Sequence, residues 1–314
     1  MPLDPQAQAL LEQMREAGAK PFEELTVAEA RLASWAFLDL TGEPEEVASV
    51  EHRFIPGPTA DIPVRIYRPA GGGPHPAIVY FHGSGWVIAN IEISDVATRS
   101  LANSTGCVVV SVNYQKAPEH KFPVPFDDCY AATSWVAEHA EALGVDPGRI
   151  AVAGDSAGGN IAAAICLRAR DHGGPSIAYQ VLIYPATDCG WDTPSAIENA
   201  EGYLLQRGSM EWFWNHYLSS MAEAENPYVS PLRAANLSGL PPAYICTAEF
   251  DPLRDDGELY AERLRDAGVP VKYTQYDGMI HGFYWMTGVL DQARNLHAEI
   301  AEEVRAAFGS VAVS

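Results

Sequence analysis

Six short apolar runs, each joined to the next by a stretch with helical spacing, constrain this chain more than any other feature. They are AIVYF (77–81), CVVVSV (107–112), RIAVAG (149–154), YQVLIYP (179–185), AYICTA (243–248) and the weaker VKYTQY (271–276). Near-continuous apolar runs rich in Val and Ile read as strands buried on both faces. Helical patterns fall near 94–104, 126–140, 157–170, 257–267 and 290–307. That alternation predicts βα repeats, with helices covering both faces of a parallel sheet. Two earlier runs, near 50–55 and 62–68, are also strand-like, and IPVRIYRP alternates as a half-buried antiparallel strand does. The segment AGGGPHP at 70–76 is a turn.

Residues 5–17 and 26–40 carry apolar residues at helical spacing, and Thr26 with Glu29 forms a capping-box pattern. Residues 188–240 break the βα rhythm and are dense in aromatics, with one helix expected over 209–219. Ligands of open α/β sheets bind beyond the carboxyl ends of the strands, so this insertion is expected to cover a pocket, with ordinary aromatic core as the rival reading. The expectation is one domain over 1–314, with cap elements from about 1–45 and 188–225.

Composition narrows the partners. Net charge is −21, from 41 acidic and 20 basic residues, so duplex nucleic acid and anionic membranes are repelled. Apolar residues make up 47% of the chain, enough for a large core without disulfides or a structural metal. Five cysteines, an odd number with no CxxC spacing, read as buried free thiols. The start, MPLDPQAQALLEQMREAGAK, lacks an apolar run of signal length, and no stretch approaches the ~20 residues of a membrane span. A cytoplasmic location is the default expectation.

The chemistry is concentrated at strand ends. Gly154-Asp155-Ser156-Ala157-Gly158 fits G-x-S-x-G between the run RIAVAG and a helical stretch. A serine at a sharp strand-to-helix turn is held out toward substrate, and the helix N-terminus beyond it favours negative charge. His82-Gly83-Ser84-Gly85-Trp86 directly follows AIVYF. A glycine-rich loop there brings backbone N–H groups to an oxyanion, and Gly83, Ser84 and Ala157 are the expected donors. His82 is read as a support for that loop.

His281 follows the last strand and precedes the last helix, the place of a base that takes the serine proton. The orienting acid belongs after a strand and before His281. Asp251 meets that condition at the end of AYICTA. Asp255 and Asp256 suit the first turn of the next helix, and Asp277 suits a turn. Trp86, Trp191, Trp212 and Trp214 are candidates for the substrate pocket, with aromatic core as the rival reading for each.

With these residues in place, the chain resembles the hormone-sensitive-lipase-like family of α/β-hydrolases, the bacterial family IV carboxylesterases. The matching segments are HGSGW at 82–86, NYQKAPEHKFP at 113–123, GDSAGGN at 154–160, DPLRDDG at 251–257 and HGF at 281–283. The resemblance implies an α/β-hydrolase fold with about eight strands, a helical cap, no cofactor, and the triad Ser156, Asp251 and His281. It implies short- to medium-chain carboxylic esters as substrates, and a homodimer through an edge strand is consistent with it. Two positions depart from the family pattern. Ser84 stands where glycine is usual, and Asn113, Gln115 and Lys116 replace an acidic residue, an arginine and an apolar residue. Other readings of such a chain are an amidase or peptidase, a lipase, and a binding protein that has lost its catalytic histidine. The presence of His281 argues against the last.

Overall fold

The apolar runs pair into a single eight-stranded sheet in the computed structural model, which describes residues 2–309. The strands are β1 (Ser49–Ile55), β2 (Ile62–Arg68), β3 (His75–Phe81), β4 (Val108–Val112), β5 (Val145–Asp155), β6 (Tyr179–Ile183), β7 (Ala243–Phe250) and β8 (Val271–Ile280). Their spatial order is β1-β2-β4-β3-β5-β6-β7-β8. β2 runs antiparallel to β1 and β4, and all remaining pairs are parallel. Every residue of β3, β4 and β6 is buried, in keeping with their near-continuous apolar character, and each strand also buries one polar residue, His75, Ser111 and Gln180 respectively. The first half of β8, at the sheet edge, mixes exposed and half-buried residues.

Ten α-helices occur among the described residues: α1 (Pro5–Glu16), α2 (Val27–Ala33), α3 (Asp95–Thr105), α4 (Val124–Glu138), α5 (Ala140–Leu143), α6 (Ala157–His172), α7 (Pro194–Glu198), α8 (Arg207–Tyr217), α9 (Arg254–Asp266) and α10 (Asp291–Phe308). α3 packs with α10, α4 packs with α6, and α9 lies against β7 and β8. The small residues of α6, in the run NIAAAICL, let that helix sit against β3, β5 and β6. All five cysteines are buried and unpaired. Among the described residues no helix is long and apolar enough to cross a membrane.

The helix expected over 26–40 divides. The Thr26–Glu29 capping box starts α2, which ends at Ala33 and tightens into a 3₁₀ turn over Ser34–Leu40. At the change, Ser34 Oγ donates to Arg31 O at 2.8 Å, a local bond of the kind that competes with regular helix. The segment after α1 meets α8: the rings of Phe22 and Phe213 are 5.2 Å apart, and Ser209 Oγ bonds the Glu23 carboxylate.

Candidate active site

β5 ends at Asp155 and α6 begins at Ala157, leaving Ser156 on the turn between them with φ 55° and ψ −119°. Positive φ is strained for a residue with a Cβ and persists only where the surroundings fix it. Here Ser156 N–H donates to Ile183 O at 2.9 Å, and Ser156 O accepts from Asn160 N–H at 3.0 Å. The flanking glycines are required by contact. A Cβ on Gly158 would collide with Phe81 O, and one on Gly154 with Gly158 O.

Two more strand ends bring their residues to this serine. His281 directly follows β8, and its Nε2 lies 2.9 Å from Ser156 Oγ. Its Nδ1 lies 2.7 Å from Oδ2 of Asp251, which directly follows β7. A carboxylate only accepts, so Nδ1 carries the proton and Nε2 presents its lone pair to the hydroxyl. Asp251 is fully buried, and its Oδ1 is held by Leu253 N–H at 2.9 Å. The ring of Tyr184 packs against His281, with centroids 4.7 Å apart.

The segment 187–199 clamps the Asp251 turn, and no motif announces it. Asn199 Nδ2 donates to Asp251 O at 3.2 Å, and Ser195 Oγ donates to Pro252 O at 2.9 Å. Asp255 and Asp256 do occupy the first turn of α9, but each also faces this segment. Asp255 Oδ2 accepts Ser195 N–H at 2.8 Å. Asp256 Oδ2 accepts the N–H groups of Thr187 and Asp188 at 2.9 and 3.0 Å. Burial pushes the Asp256 carboxyl well above the usual range. Asp277 lies within β8 with its side chain exposed.

The loop after β3 requires one correction. Gly83 N–H, an expected oxyanion donor, is spent on Asp155 Oδ1 at 2.7 Å. The N–H groups of Ser84, Gly85 and Ala157 have no hydrogen-bond partner among the described residues. The free donors are therefore Ser84, Gly85 and Ala157. The loop's positive φ falls on Gly85 (52°) and Trp86 (61°), and Ser84 avoids it. A serine at position 84 thus carries no left-handed strain. Burial pushes the Asp155 carboxyl up to about 6, against hydrogen bonds from Tyr80 Oη (2.6 Å) and Gly83 N–H that favour its ionised form. Burial also holds His82 neutral, its pKa lowered to about 3, with Nδ1 facing Gly83 O at 3.1 Å.

A cavity of about 40 Å³ opens on Ser156. Gly85, Trp86, Met210, Phe213, Trp214 and Leu253 form much of its wall. Two of the four expected tryptophans are there, and the other two correct the expectation. Trp212 lies off the α8 face defined by Met210, Phe213, Trp214 and Tyr217, and packs on His216 with centroids 4.1 Å apart. Trp191 packs half-buried against the core outside the cavity wall.

A mostly parallel eight-stranded sheet, with a serine on a strand–helix elbow and a histidine and aspartate at later strand ends, defines an α/β-hydrolase. Residues 78–285 match the family model described as α/β hydrolase fold, and the chain belongs to that family, as its hormone-sensitive-lipase-like motifs indicate. It is 41% identical over 291 residues to the carboxylic ester hydrolase LipN of Mycobacterium tuberculosis, covering 90% of this chain and 77% of that one. Among solved structures, an ester hydrolase from the metagenome of Lake Arreo superposes with a TM-score of 0.95 at 43% identity, covering 98% of this chain and all of the other. The hyperthermophilic esterase of Pyrobaculum calidifontis superposes with a TM-score of 0.93 at 43% identity, covering 98% of this chain and 99% of its own.

Proposed function

We propose that this chain is a serine carboxylesterase that hydrolyses short- to medium-chain carboxylic esters through an acyl-enzyme. The observation that carries this reading is the unbroken line Ser156 Oγ–His281–Asp251, with separations of 2.9 and 2.7 Å. His281 Nε2 takes the Ser156 proton as Oγ attacks the ester carbonyl carbon. The charge that develops on the carbonyl oxygen is received by the N–H groups of Ser84, Gly85 and Ala157, at the N-terminus of α6. His281, charged and steadied by Asp251, then gives its proton to the leaving alcohol oxygen. Water attacks the acyl-Ser156 ester by the same route and restores the enzyme.

The leaving oxygen must face His281, which protonates it. The 40 Å³ cavity has no wall contributed by His281, so it takes the acyl chain. Its size favours acyl groups of a few carbons. Residues 1–45 and 188–225 act as the cap over this centre. In support, Phe22 meets Phe213, and a groove of about 570 Å³ runs between the N-terminal helices and Leu204. Leu204 in turn lies against Gly282, next to His281, so the groove suits the alcohol side.

Hydrolysis of p-nitrophenyl esters from acetate to palmitate tests the reading, with Ser156→Ala in parallel. The expected result is turnover greatest at acetate to butyrate, and a loss of about 10⁴-fold or more in the folded variant. Wild type inert on every ester, or a fully active Ser156→Ala, would overturn it.

A further inference from the structure

The hydroxyl of Ser84 sits at the centre of a buried hydrogen-bond chain across the loop that follows β3. Ser84 Oγ lies 2.6 Å from Tyr114 Oη and accepts Trp86 N–H at 2.9 Å. Tyr114 Oη donates to His82 O at 2.7 Å. Directions are forced. A carbonyl only accepts, so the Tyr114 proton is used on His82 O. Ser84 must then donate to Tyr114 Oη while its own oxygen receives the Trp86 N–H. The order is Trp86 N–H, Ser84 O–H, Tyr114 O–H, His82 C=O, and it has one arrangement of protons. All four residues are buried, so water does not compete for these bonds.

This chain ties the main chain at residue 82 to the main chain at residue 86. Between the ties lie the free N–H groups of Ser84 and Gly85. The loop is least favourable at its far end, where Gly85 (φ 52°) is followed by Trp86 (φ 61°). A tryptophan holds positive φ only under external constraint. Its N–H bond to Ser84 Oγ supplies one constraint, and stacking of its ring on Tyr217, with centroids 4.4 Å apart, supplies another. Tyr114 is itself fixed. Its ring stacks on His82 at 4.6 Å, and Lys116 Nζ stands 5.5 Å from its centroid and donates to Tyr114 O at 3.2 Å. The two departures from the family pattern, at 84 and at 113–116, thus meet on one tyrosine. Glycine at 84 would keep the main-chain donor but leave Trp86 N–H and the Tyr114 oxygen each short of a buried partner.

We propose that Ser84 is a positioning residue, whose hydroxyl acts through Tyr114 to aim the Ser84 and Gly85 N–H groups at the oxyanion. The proposal rests on the esterase reading. Its test combines p-nitrophenyl acetate kinetics with the affinity of an aryl trifluoromethyl ketone, a reversible inhibitor. Ser156 Oγ adds to the ketone carbonyl, His281 takes the proton, and the carbonyl oxygen becomes an alkoxide in the same site.

Ser84→Ala and Tyr114→Phe are each expected to lower kcat about tenfold, with KM changed less than about twofold. Ketone affinity is expected to fall in parallel with kcat. The double variant should be no worse than either single one, and Ser84→Thr, which keeps a hydroxyl, should recover most of the rate. A folded Ser84→Ala with wild-type kcat and ketone affinity would overturn the proposal, as would additive losses in the double variant. Should Ser84→Ala fail to fold, Tyr114→Phe and Ser84→Gly face the same criteria. A wild type inert on esters and blind to the ketone would overturn the esterase reading and this proposal with it. An active wild type matched by its variants would overturn this proposal alone.

Discussion

Asp155 links two parts of the site that belong to different strands. Its carboxylate receives Gly83 N–H from the loop after β3, while its own main chain leads into Ser156. Its burial raises the carboxyl pKa from 3.8 to about 6. For an acid with a raised folded pKa, the favourable contribution is present below the unfolded value and is lost as pH rises through the folded one. Stability from this group therefore declines between about pH 4 and pH 6, by up to about 3 kcal/mol. Asp155→Asn removes that titration. Its melting temperature relative to wild type should rise as pH goes from 4 to 7, and a constant difference across that range would refute the assignment. The motif G-x-S-x-G made Ser156 legible in the sequence because the turn tolerates so few residue types. Gly83 was misread for the opposite reason. HGSGW offers several consecutive N–H groups, and only the position of the Asp155 carboxylate decides which one is already used. Asn199 was invisible because a single amide bonding main-chain oxygens leaves no pattern.

Secondary-structure elements were easier to read than individual contacts. Apolar runs rich in Val and Ile announced the central strands, since a strand buried on both faces has few alternatives, whereas β1 and β8 at the sheet edges carry a weaker signal. α8 was expected, but not which of its aromatics face inward. Helical period settles that after the fact: Met210, Phe213, Trp214 and Tyr217 share a face, and Trp212 does not. Phe213 lines the small cavity beside Ser156 and also meets Phe22 of the N-terminal segment. Phe213→Ala should lengthen the accepted acyl chain, raising the octanoate-to-acetate ratio of kcat/KM by about tenfold or more. A ratio unchanged in the folded variant would mean that Phe213 does not bound the acyl site. Truncating a buried phenylalanine typically costs about 3–5 kcal/mol, so the assay belongs well below the variant's melting temperature.

Across the whole molecule, the groups of the candidate site come from the ends of β3, β5, β7 and β8, which lie within five adjacent strands of the eight-stranded sheet. Ser156 and His281 are 125 positions apart in the chain, and the histidine arrives only when β8 pairs with β7 at the sheet edge. Catalysis is therefore a reporter on completion. Joining segments so distant in sequence is slow, whereas local helices form early. During dilution from denaturant, the far-ultraviolet helical signal should return first and turnover should lag behind it, following the docking of the carboxy-terminal third. Simultaneous recovery of both would show instead that the sheet assembles in a single step. An inhibitor that bridges Ser156 and His281 would then act as a staple between early and late parts of the chain, slowing their separation as well as stopping the chemistry.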